Sequence, residues 1–472
     1  MSAKAEAKPP VVPGERINVL PEGMGEHGEG VARYRGFSVF VEGAIPGDEV
    51  RAEIVQVKQN YARARTLEII RPAPHRVPPP CSVFGRCGGC RLQHMEYAEQ
   101  LRRKTWLVGD ALARIGRLND VLVHDTLGAA QPWRYRTKAL FPVGRAPRGE
   151  GVVVGLYARG THRIVEVSNC PVQHPVNNEI LVAARELIVR YRYAPYDETT
   201  GTGLVRHLLA RTGAATGQAV AGVVVNGRTL PRGREFARDL MRRVPALRSV
   251  VLNINTRRSN VILGEETRVL GGQAAIEDRL GDFVFRVSAR SFFQVNPAQA
   301  LVLYRQAVAY AALTGEETVL DAYSGTGTIA LFLARGAAKV TGMEEVPEAV
   351  ADARQNAARN GIANVELLPG RVEELLEGPG ARSLRPDVVV LDPPRAGVPA
   401  ATLEAIARLG PRRLVYVSCN PATLARDLAI LHGHGYRTLE VQPADMFPQT
   451  AHVEAVARVV RAAGDSSRQL CQ

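Results

Sequence analysis

The segment from Val319 to Ala330 constrains the fold of this chain more than any other. It contains an apolar run, a turn with glycines at 325 and 327, and a helix-forming run. Glycine lets a backbone approach a ligand closely, and such turns between strand and helix are typical of nucleotide sites. Strand-like and helix-like runs continue to alternate from about residue 291 to residue 460. This alternation predicts an α/β domain with a doubly wound, largely parallel sheet that binds ligands at the carboxyl ends of its strands. The predicted strands are Thr318-Asp321, Lys339-Glu344, Val365-Leu368, Asp387-Asp392, Arg413-Ser418, Tyr436-Gln442 and His452-Val459.

Composition limits the class of protein. The chain has 472 residues, enough for two or three domains, because a single core seldom grows past about 250–300 residues. Its formal net charge of +13 favours an anionic partner. No apolar run reaches the length of about 18 residues that a membrane span needs, and residues 1–13 lack the apolar centre of a signal peptide. Six cysteines do not make a disulfide scaffold. We therefore expect a cytoplasmic protein with no membrane partner.

Residues 1–13 are polar and rich in proline, and they predict a disordered lead. Residues 14–72 contain short β-prone runs that are separated by glycine turns. This pattern predicts a small antiparallel barrel, and a barrel with no ligand is one interpretation of it. The other interpretation is an RNA-binding barrel, because four of its side chains would offer charge and stacking to single-stranded RNA if they are exposed. These side chains are Lys58, Tyr61, Arg63 and Arg65.

A proline-rich linker follows at residues 72–80, and beyond it the pattern becomes mixed. Residues 120–290 alternate strand-like runs with helical stretches near 177–192 and 233–243. The mixture predicts a central α+β domain, which occupies residues 73–290 together with the linker and a group of cysteines. The α/β domain then covers residues 291–472.

Four cysteines form a three-plus-one pattern. Cys81, Cys87 and Cys90 are close in sequence, and Cys170 is distant. In a reducing compartment such a group predicts a metal site. Zinc bound by four cysteines usually shows two close pairs, whereas a cubane cluster takes one iron per thiolate and suits this spacing better. Zinc and the absence of any metal remain alternatives. Cys471, in a polar tail, is interpreted as incidental.

Cys419 ends one predicted strand, and the segment Asp392-Pro-Pro-Arg395 ends the strand before it. The latter resembles the Asp-Pro-Pro-Tyr loop of amino-group methyltransferases, except that Arg395 replaces the aromatic residue that stacks on the base. Uracil C5 accepts a methyl group only after a thiolate has added to C6, so this chemistry requires a cysteine. A helix that starts at Asn420 would lower the pKa of Cys419 through its amides and dipole. A buried, unreactive cysteine is the alternative.

A base must then remove the C5 proton, and a carboxylate is suited to this step. Glu454 lies within an apolar run, where partial desolvation would raise its pKa and its basicity. His452 is a weaker candidate for the base. A strand carboxylate that only forms a salt bridge is the structural alternative for Glu454.

The glycine turn has two candidate ligands, a dinucleotide and S-adenosylmethionine (SAM). The third glycine of the dinucleotide motif is absent, because Ala330 occupies its position, and this disfavours a dinucleotide. An acidic residue at the end of the next predicted strand is suited to ribose hydroxyls. Glu344 and Glu345 both satisfy this requirement.

Together these motifs resemble the RNA 5-methyluridine methyltransferases of the TrmA/RumA type, specifically those with a TRAM domain and an iron–sulfur cluster. The likeness covers residues 12 to 460. It implies an N-terminal OB-like TRAM barrel, a central α+β domain and a C-terminal Rossmann-like SAM-dependent methyltransferase domain. It also implies a [4Fe-4S] cluster of structural role, because the reaction needs no redox chemistry. Its ligands are Cys81, Cys87, Cys90 and Cys170.

The same resemblance assigns the roles of nucleophile to Cys419 and of base to Glu454, and it places the ribose acid at Glu344. The SAM-binding residues that it implies are Gln294, Tyr323, Gly325, Gly327, Thr328, Glu344 and Asp392.

The substrate that the resemblance favours is RNA, specifically 23S rRNA, because the tRNA branch typically lacks both the TRAM domain and the cluster. We therefore predict a monomeric, SAM-dependent RNA (uracil-5-)-methyltransferase. The alternatives are a tRNA uracil-C5 methyltransferase, an amino-group RNA methyltransferase that would not need Cys419, and a non-catalytic RNA-binding assembly factor. The intact Cys419, Glu454 and Asp392 disfavour the last of these.

Overall fold

The computed structural model describes residues 9–146 and 151–462. Residues 1–8 of the predicted lead and Cys471 lie outside this range. Within it, no helix is long and apolar enough to cross a membrane. The chain folds into an N-terminal sheet, a central α+β region and a C-terminal α/β region.

The N-terminal region is a six-stranded sheet with the strand order β1-β5-β6-β4-β3-β2. Alternate residues of each strand point into a small core, as the burial pattern of β5 illustrates. Val11 is buried in this core, so it belongs with the sheet and not with the predicted lead. The strands are β1 (Arg16–Val19), β2 (Gly23–Met24), β3 (Gly30–Tyr34), β4 (Phe37–Glu42), β5 (Glu49–Val57) and β6 (Tyr61–Arg71).

The pairing of β4 with β6 is parallel, whereas the sequence predicted an antiparallel barrel. The reason is that β5 intervenes in sequence and pairs with the other edge of β6, so β6 returns in the direction of β4. All other pairs in this sheet are antiparallel.

The next segment packs on the C-terminal region, although the sequence placed it in the central domain. It consists of α1 (Tyr97–Ala111), a π-helical turn (Leu112–Gly116) and β7 (Leu122–Val123). β7 adds an edge strand to the C-terminal sheet. Val108 and Leu112 are buried in the same core as residues of that region, which explains why this segment belongs to it.

The central region is a seven-stranded sheet with the order β10-β9-β8-β11-β12-β13-β14, and two helices pack on it. Every residue of β11 and β12 is buried. β12 is wholly apolar, whereas β11 also buries Arg206, His207 and Arg211. The elements are β8 (Lys138–Arg145), β9 (Val152–Tyr157), β10 (Ile164–Glu166), α2 (Pro175–Arg190), β11 (Val205–Thr212), β12 (Ala219–Val225), α3 (Gly233–Arg243), β13 (Leu247–Ile254) and β14 (Glu266–Gly272).

A hairpin of β15 (Ala275–Leu280) and β16 (Phe283–Ser288) lies between the two regions in sequence. Its apolar side chains Phe283 and Phe285 share a core with helices and strands of the C-terminal region. The structural boundary therefore falls before this hairpin, near residue 274, instead of at the predicted residue 290.

The C-terminal region is an eight-stranded sheet with the order β19-β18-β17-β20-β21-β23-β22-β7. β17 to β21 are parallel, β23 is antiparallel to both β21 and β22, and β22 pairs with β7 in parallel, which confirms the predicted largely parallel sheet. The strands are β17 (Thr318–Ala322), β18 (Lys339–Glu344), β19 (Val365–Pro369), β20 (Val388–Leu391), β21 (Arg413–Ser418), β22 (Tyr436–Ala444) and β23 (Glu454–Arg461).

Helices cover both faces of this sheet, so the parallel strands are buried and nearly continuously apolar. Asn296 and Asn420 cap the first and last of the helices with side-chain oxygens, and a proline occupies the first turn of each. The helices are α4 (Pro297–Ala311), α5 (Thr328–Ala334), α6 (Pro347–Arg359), α7 (Val372–Glu377), α8 (Ala381–Leu384), α9 (Ala400–Leu409) and α10 (Pro421–Gly433).

Candidate active site

One edge of the C-terminal sheet collects the predicted site residues. Tyr323 follows β17, Glu344 ends β18, Asp392 follows β20 and Cys419 follows β21. These strands are parallel, so their carboxyl ends meet at the same edge. Glu454 begins β23, which runs antiparallel to β21 and pairs Ala455 with Ser418. The amino end of β23 therefore brings Glu454 to the edge where Cys419 lies.

The glycine turn after β17 has a backbone that few residues can adopt. Tyr323, Gly325 and Gly327 have φ angles of 67°, 56° and 75°. A β-carbon on Gly327 would lie 2.9 Å from the β-carbon of Ala353, so this position requires glycine. Gly325 has open space on the side where a β-carbon would be, which leaves its backbone accessible to a ligand. Thr328 begins α5, whose amide groups face the turn.

Glu344 holds the glycine turn in place. One of its carboxylate oxygens accepts the Gly325 amide at 2.9 Å, and the other accepts the Val346 amide at 2.8 Å. The hydroxyl of Tyr323 donates to Glu373 at 3.0 Å. Glu344 is thus the acid at the turn, and its role toward ribose hydroxyls stays a prediction.

Gln294 precedes α4 and contacts the buried Tyr304 of that helix through a side-chain hydrogen bond. Burial and the nearby carboxylates of Asp392 and Glu454 raise the pKa of Tyr304, so its hydroxyl keeps its proton. Tyr304 was not identified from the sequence. The available signal was a tyrosine within the largely apolar stretch Ala300–Ala311.

Two aspartates lie beneath the glycine turn and the neighbouring strand end. Desolvation raises the pKa of Asp392 to about 7. Asp321, at the centre of the sheet, is fully buried, and its pKa is well above the ordinary value because of burial and of the nearby Asp392. The sequence analysis gave Asp321 no role, although a carboxylate within the apolar run Val319–Ala322 was a visible signal.

Cys419 lies between the end of β21 and the start of α10. The side chain of Asn420 accepts the Ala422 amide at 3.0 Å and so caps the helix. The pKa of Cys419 is raised to about 11, because burial outweighs every other influence and Glu454 and Asp392 add like charge. Arg395 opposes this rise. The sequence-based expectation of a lowered pKa was therefore wrong, since it considered the helix terminus and not the two carboxylates.

Glu454 is only 8% exposed, and burial together with Asp392 raises its pKa to about 8, while Arg395 opposes the rise. This is the direction that the sequence predicted. His452 has a pKa lowered to about 4 by desolvation and by the cations Arg395 and Lys104. Its Nδ1 lies 3.4 Å from Nη2 of Arg395. His452 is therefore neutral at pH 7 and a poorer proton acceptor than Glu454.

A cleft of about 640 Å³ leads to Cys419 between the N-terminal sheet and α1. Phe40 and Arg33 of the sheet form one wall, and Trp106 and Arg114 form the other. The sequence analysis missed these four side chains. Trp106 is 42% exposed, and its visible signal was an aromatic residue next to the polar run Arg102–Thr105.

The four side chains predicted to bind RNA lie on the same sheet. Lys58 and Arg65 are exposed, and Tyr61 and Arg63 are half-buried. The ring of Tyr61 lies 5.4 Å from that of Phe40, and the guanidinium of Arg63 lies 5.9 Å from the Tyr61 ring. The aromatic surface of the cleft thus extends outward across the sheet.

The four predicted cysteine ligands line one cavity of about 520 Å³, which lies behind the active site. Its other walls are largely apolar and include Val83, Phe84, Tyr135, Val167 and Val172. Within residues 9–146 and 151–462, no group of three or more His, Cys, Asp or Glu side chains is arranged to hold a metal ion.

Three of the four cysteine thiols are desolvated and lie near other cysteines. The pKa values of Cys87, Cys90 and Cys170 are raised, chiefly by burial. The pKa of Cys90 is raised to about 12. Neighbouring cysteines also raise them, which places the sulfurs near one another. Deprotonation of such thiols requires a positive centre. The Gly89 amide lies 3.4 Å from the Cys87 sulfur, and a β-carbon on Gly88 would lie 2.9 Å from a backbone oxygen.

Comparison with solved structures defines the class. The chain is similar to the tRNA (uracil-54, C5)-methyltransferase of Pyrococcus abyssi, which was solved with S-adenosyl-L-homocysteine. The TM-score is 0.75 at 28% identity, and the match covers 94% of this chain and all of the other. The fold is thus that of a SAM-dependent methyltransferase.

Sequence comparison defines the family more specifically than the fold does. The tRNA (uracil-5-)-methyltransferase family matches residues 234–461, and the TRAM domain matches residues 10–67. Proteins of Halalkalibacterium halodurans and Caldanaerobacter subterraneus, each named an uncharacterized RNA methyltransferase, are both 46% identical over 448 residues. Each match covers 95% of this chain. It covers 97% of the H. halodurans protein and 98% of the C. subterraneus protein. The chain belongs to the RNA uracil-5-methyltransferase family and is a SAM-dependent RNA methyltransferase.

Proposed function

We propose that this enzyme methylates C5 of uridine in RNA, with Cys419 as nucleophile and Glu454 as base. The observation that carries the proposal is the meeting of Cys419, Glu454 and Asp392 at one sheet edge, at the end of a cleft walled by the TRAM domain. Transfer to an amino group would not need a cysteine at this position. A non-catalytic RNA-binding protein would not need a desolvated carboxylate beside it.

The first step is the addition of the Cys419 thiolate to C6. The thiol must lose its proton, and its pKa of about 11 makes this unfavourable at neutral pH. The raised pKa of Asp392, about 7, brings this carboxylate closer to the thiol in basicity. Arg395 lowers the pKa of Cys419, so its cation favours the thiolate. Addition to C6 places negative charge on C5 and O4. Bound SAM would supply the methyl group to C5 and leave as S-adenosyl-L-homocysteine, which keeps the electron pair of the broken S–CH3 bond.

The second step releases the product. Glu454 accepts the C5 proton, and the electrons of the C5–H bond form the C5–C6 double bond. The C6–S bond breaks and returns its electron pair to Cys419. A buried Glu454 with a pKa of about 8 is a stronger base than an ordinary carboxylate and suits this step.

The SAM site in this proposal surrounds the glycine turn. Gly325 and Gly327 let the backbone of the turn approach a ligand closely, Thr328 begins the helix that follows, and Glu344 lies where ribose hydroxyls would bind. Gln294, Tyr323 and Asp392 complete the site.

The cleft gives the proposal a route for RNA. A uridine must leave its stack to reach Cys419, and an unstacked strand is held by aromatic and arginine side chains. Phe40, Trp106, Arg33 and Arg114 offer such groups along the cleft. The net charge of +13 favours the approach of a polyanion.

Two variants test the assignment of roles. Cys419→Ala should form no covalent adduct and transfer no methyl group. Glu454→Gln should transfer the methyl group but retain the RNA, because elimination needs the C5 proton removed. Each variant is incubated with RNA and radiolabelled SAM and then separated by denaturing electrophoresis, and Glu440→Gln on β22 serves as a carboxylate control. Methylation by Cys419→Ala would refute the thiolate mechanism, and normal turnover by Glu454→Gln would transfer the base role to another group.

We propose 23S rRNA as the substrate. The TRAM domain and the four cysteines support this proposal, because the resemblance associates both with the rRNA branch. The similarity to the P. abyssi tRNA enzyme favours tRNA as the second candidate. Mapping 5-methyluridine in the rRNA and tRNA of a deletion strain decides between them. A site lost only from tRNA would refute the rRNA proposal.

We also propose that the cysteine cavity holds a [4Fe-4S] cluster on Cys81, Cys87, Cys90 and Cys170. When bound, the cluster supplies a crosslink between the segment near residue 90 and the central sheet. Anaerobically purified protein should contain about four irons and four sulfides per chain. Zinc without iron in such a preparation would refute this assignment.

We further propose that the enzyme acts as a monomer in the cytoplasm, where thiols stay reduced and RNA substrates are present. Sedimentation velocity should give a single species of the chain mass of 51.1 kDa. A stable dimer would contradict the first part of this proposal.

A further inference from the structure

A buried segment joins the cysteine cavity to the proposed base. Residues 445–453 connect β22 to β23 and end immediately before Glu454. Phe447, Thr450 and His452 of this segment line the cavity together with the four cysteines. The segment therefore connects the cavity wall to the first residue of β23, Glu454, which pairs with Ala444.

The cysteine segment binds residues 445–453 directly. The amides of Arg91 and Leu92, the two residues after Cys90, both donate to the Gln449 carbonyl at 2.8 and 3.0 Å. Gln449 is 2% exposed and has a φ of 68°. Residues other than glycine rarely adopt such a backbone, and it persists only when surrounding contacts hold it. The contacts from the cysteine segment are among those that hold it.

Gln100 of α1 completes this link. Its Nε2 lies 3.0 Å from the Leu92 carbonyl, 2.9 Å from the Met95 carbonyl and 3.0 Å from Oε1 of Gln449. Its Oε1 accepts the Gln449 amide at 3.1 Å. One buried side chain thus joins the cysteine segment, α1 and Gln449.

The first half of the 445–453 segment is held independently of the cysteines. Nζ of Lys104 forms a buried ion pair with Asp445 at 2.5 Å, and the Tyr97 hydroxyl donates to the same carboxylate at 2.9 Å. Asn296 donates to the Met446 carbonyl at 3.0 Å. In the second half, nearest Glu454, the Tyr135 hydroxyl donates to the Pro448 carbonyl at 2.9 Å, and Gln449 makes the contacts to the cysteine segment.

We infer that Gln449 is a positioning residue: when the cysteine segment is ordered, the contacts of Gln449 hold Glu454 in place. The inference rests on the proposed function, in which Glu454 removes the C5 proton. Filling of the cysteine cavity fixes Arg91 and Leu92, and these residues fix the carbonyl of Gln449. The base then lies in place for proton removal. Addition of Cys419 to C6 does not use this link, since Cys419 is held by β21 and α10.

The substitution Gln449→Asn tests the inference. Asparagine tolerates positive φ, and its shorter side chain cannot reach Gln100. We expect release of tritium from RNA labelled at uridine C5 to slow by about 10- to 100-fold, the cost of a misplaced catalytic group. The methylated covalent adduct should accumulate, and its rate of formation should stay at the wild-type level. Gln442→Asn in β22 is the matched control, because it makes the same change outside the link.

A second measurement does not use activity. Hydrogen exchange should show that the amides of Arg91 and Leu92 and those of residues 445–453 are protected in iron-loaded protein. The protection should be lost in iron-free protein and reduced in Gln449→Asn at normal iron content. If Gln449→Asn does not fold, Gln449→Gly, which also suits the positive φ, replaces it.

The outcomes separate this inference from the proposed function. If Glu454→Gln fails to trap an adduct, the base role of Glu454 in the proposed function, on which this inference rests, is refuted. If Glu454→Gln traps the adduct while Gln449→Asn eliminates as fast as Gln442→Asn, only the positioning role of Gln449 is refuted. Equal exchange in iron-loaded and iron-free protein would also overturn that role.

Discussion

The rate of proton removal by Glu454 should depend on pH in a way that follows from its burial. Its pKa is raised from 4.5 to about 8, chiefly by desolvation. Only the ionised carboxylate accepts a proton, so elimination accelerates as pH rises and levels off above the pKa. About 1% of the carboxylates are ionised at pH 6 and about half at pH 8 for such a pKa. The rate should therefore increase about 50-fold between these pH values, whereas an ordinary glutamate would give almost no change.

The assay must separate elimination from the ionisation of Cys419, whose pKa is also raised. The covalent adduct is formed in a single turnover at pH 6, where Glu454 is mostly protonated. The pH is then raised rapidly to values between 6 and 9, and tritium release from uridine C5 is followed by quenched flow. Because the thiol has already reacted, the profile reports the base alone.

Removal of Arg395 provides an internal test of the electrostatic argument. Its cation lowers the pKa of Glu454, so Arg395→Gln should move the midpoint of the profile to higher pH. Arg412→Gln, which changes an exposed arginine on the opposite side of the sheet, should leave the midpoint unchanged. A rate that is flat from pH 6 to pH 9, or the same profile in Glu454→Gln, would refute the reasoning.

Three further predictions concern stability and ligand binding. Lys104→Met should destabilise the protein by about 3–5 kcal/mol, because Asp445 stays buried without its partner. The thermal midpoint of unfolding measures this loss of stability. Lys339→Met, at an exposed ion pair, should cost about 1 kcal/mol or less. Equal losses for the two substitutions would contradict the burial argument. Gly327→Ala should weaken SAM binding in calorimetry, because its β-carbon would lie 2.9 Å from a neighbouring side chain; unchanged affinity would contradict this. Cys170→Ala should lower the iron bound per chain, and an unchanged iron content would exclude Cys170 as a ligand.

The C-terminal sheet, and most of the site residues at the carboxyl ends of its strands, could be predicted from the sequence alone. Parallel strands that are buried on both faces must be nearly continuously apolar, so runs such as Val388–Leu391 are visible without a structure. The residues that follow such strands share one sheet edge, which is why Tyr323, Glu344, Asp392 and Cys419 could be placed together. The glycines at 325 and 327 were visible for the same reason, since few other residues fit that turn.

The tertiary structure decided what depends on contacts between distant segments. β23 lies between β21 and β22 and runs antiparallel, and only this order brings Glu454 to Cys419. Helix α1 and β7 were assigned to the wrong region, because a two-residue edge strand carries no sequence period.

The pKa values of the site residues could also be derived only from the folded structure. The pKa of Cys419 follows from burial and from two carboxylates that lie 27 and 35 positions away in the chain, whereas local reasoning considered only the adjacent helix. The link from Cys90 through Gln449 to Glu454 crosses more than 350 residues of sequence. Local sequence patterns determine strands and turns, but the free energy of a charge depends on everything packed around it, and that arrangement exists only in the folded chain.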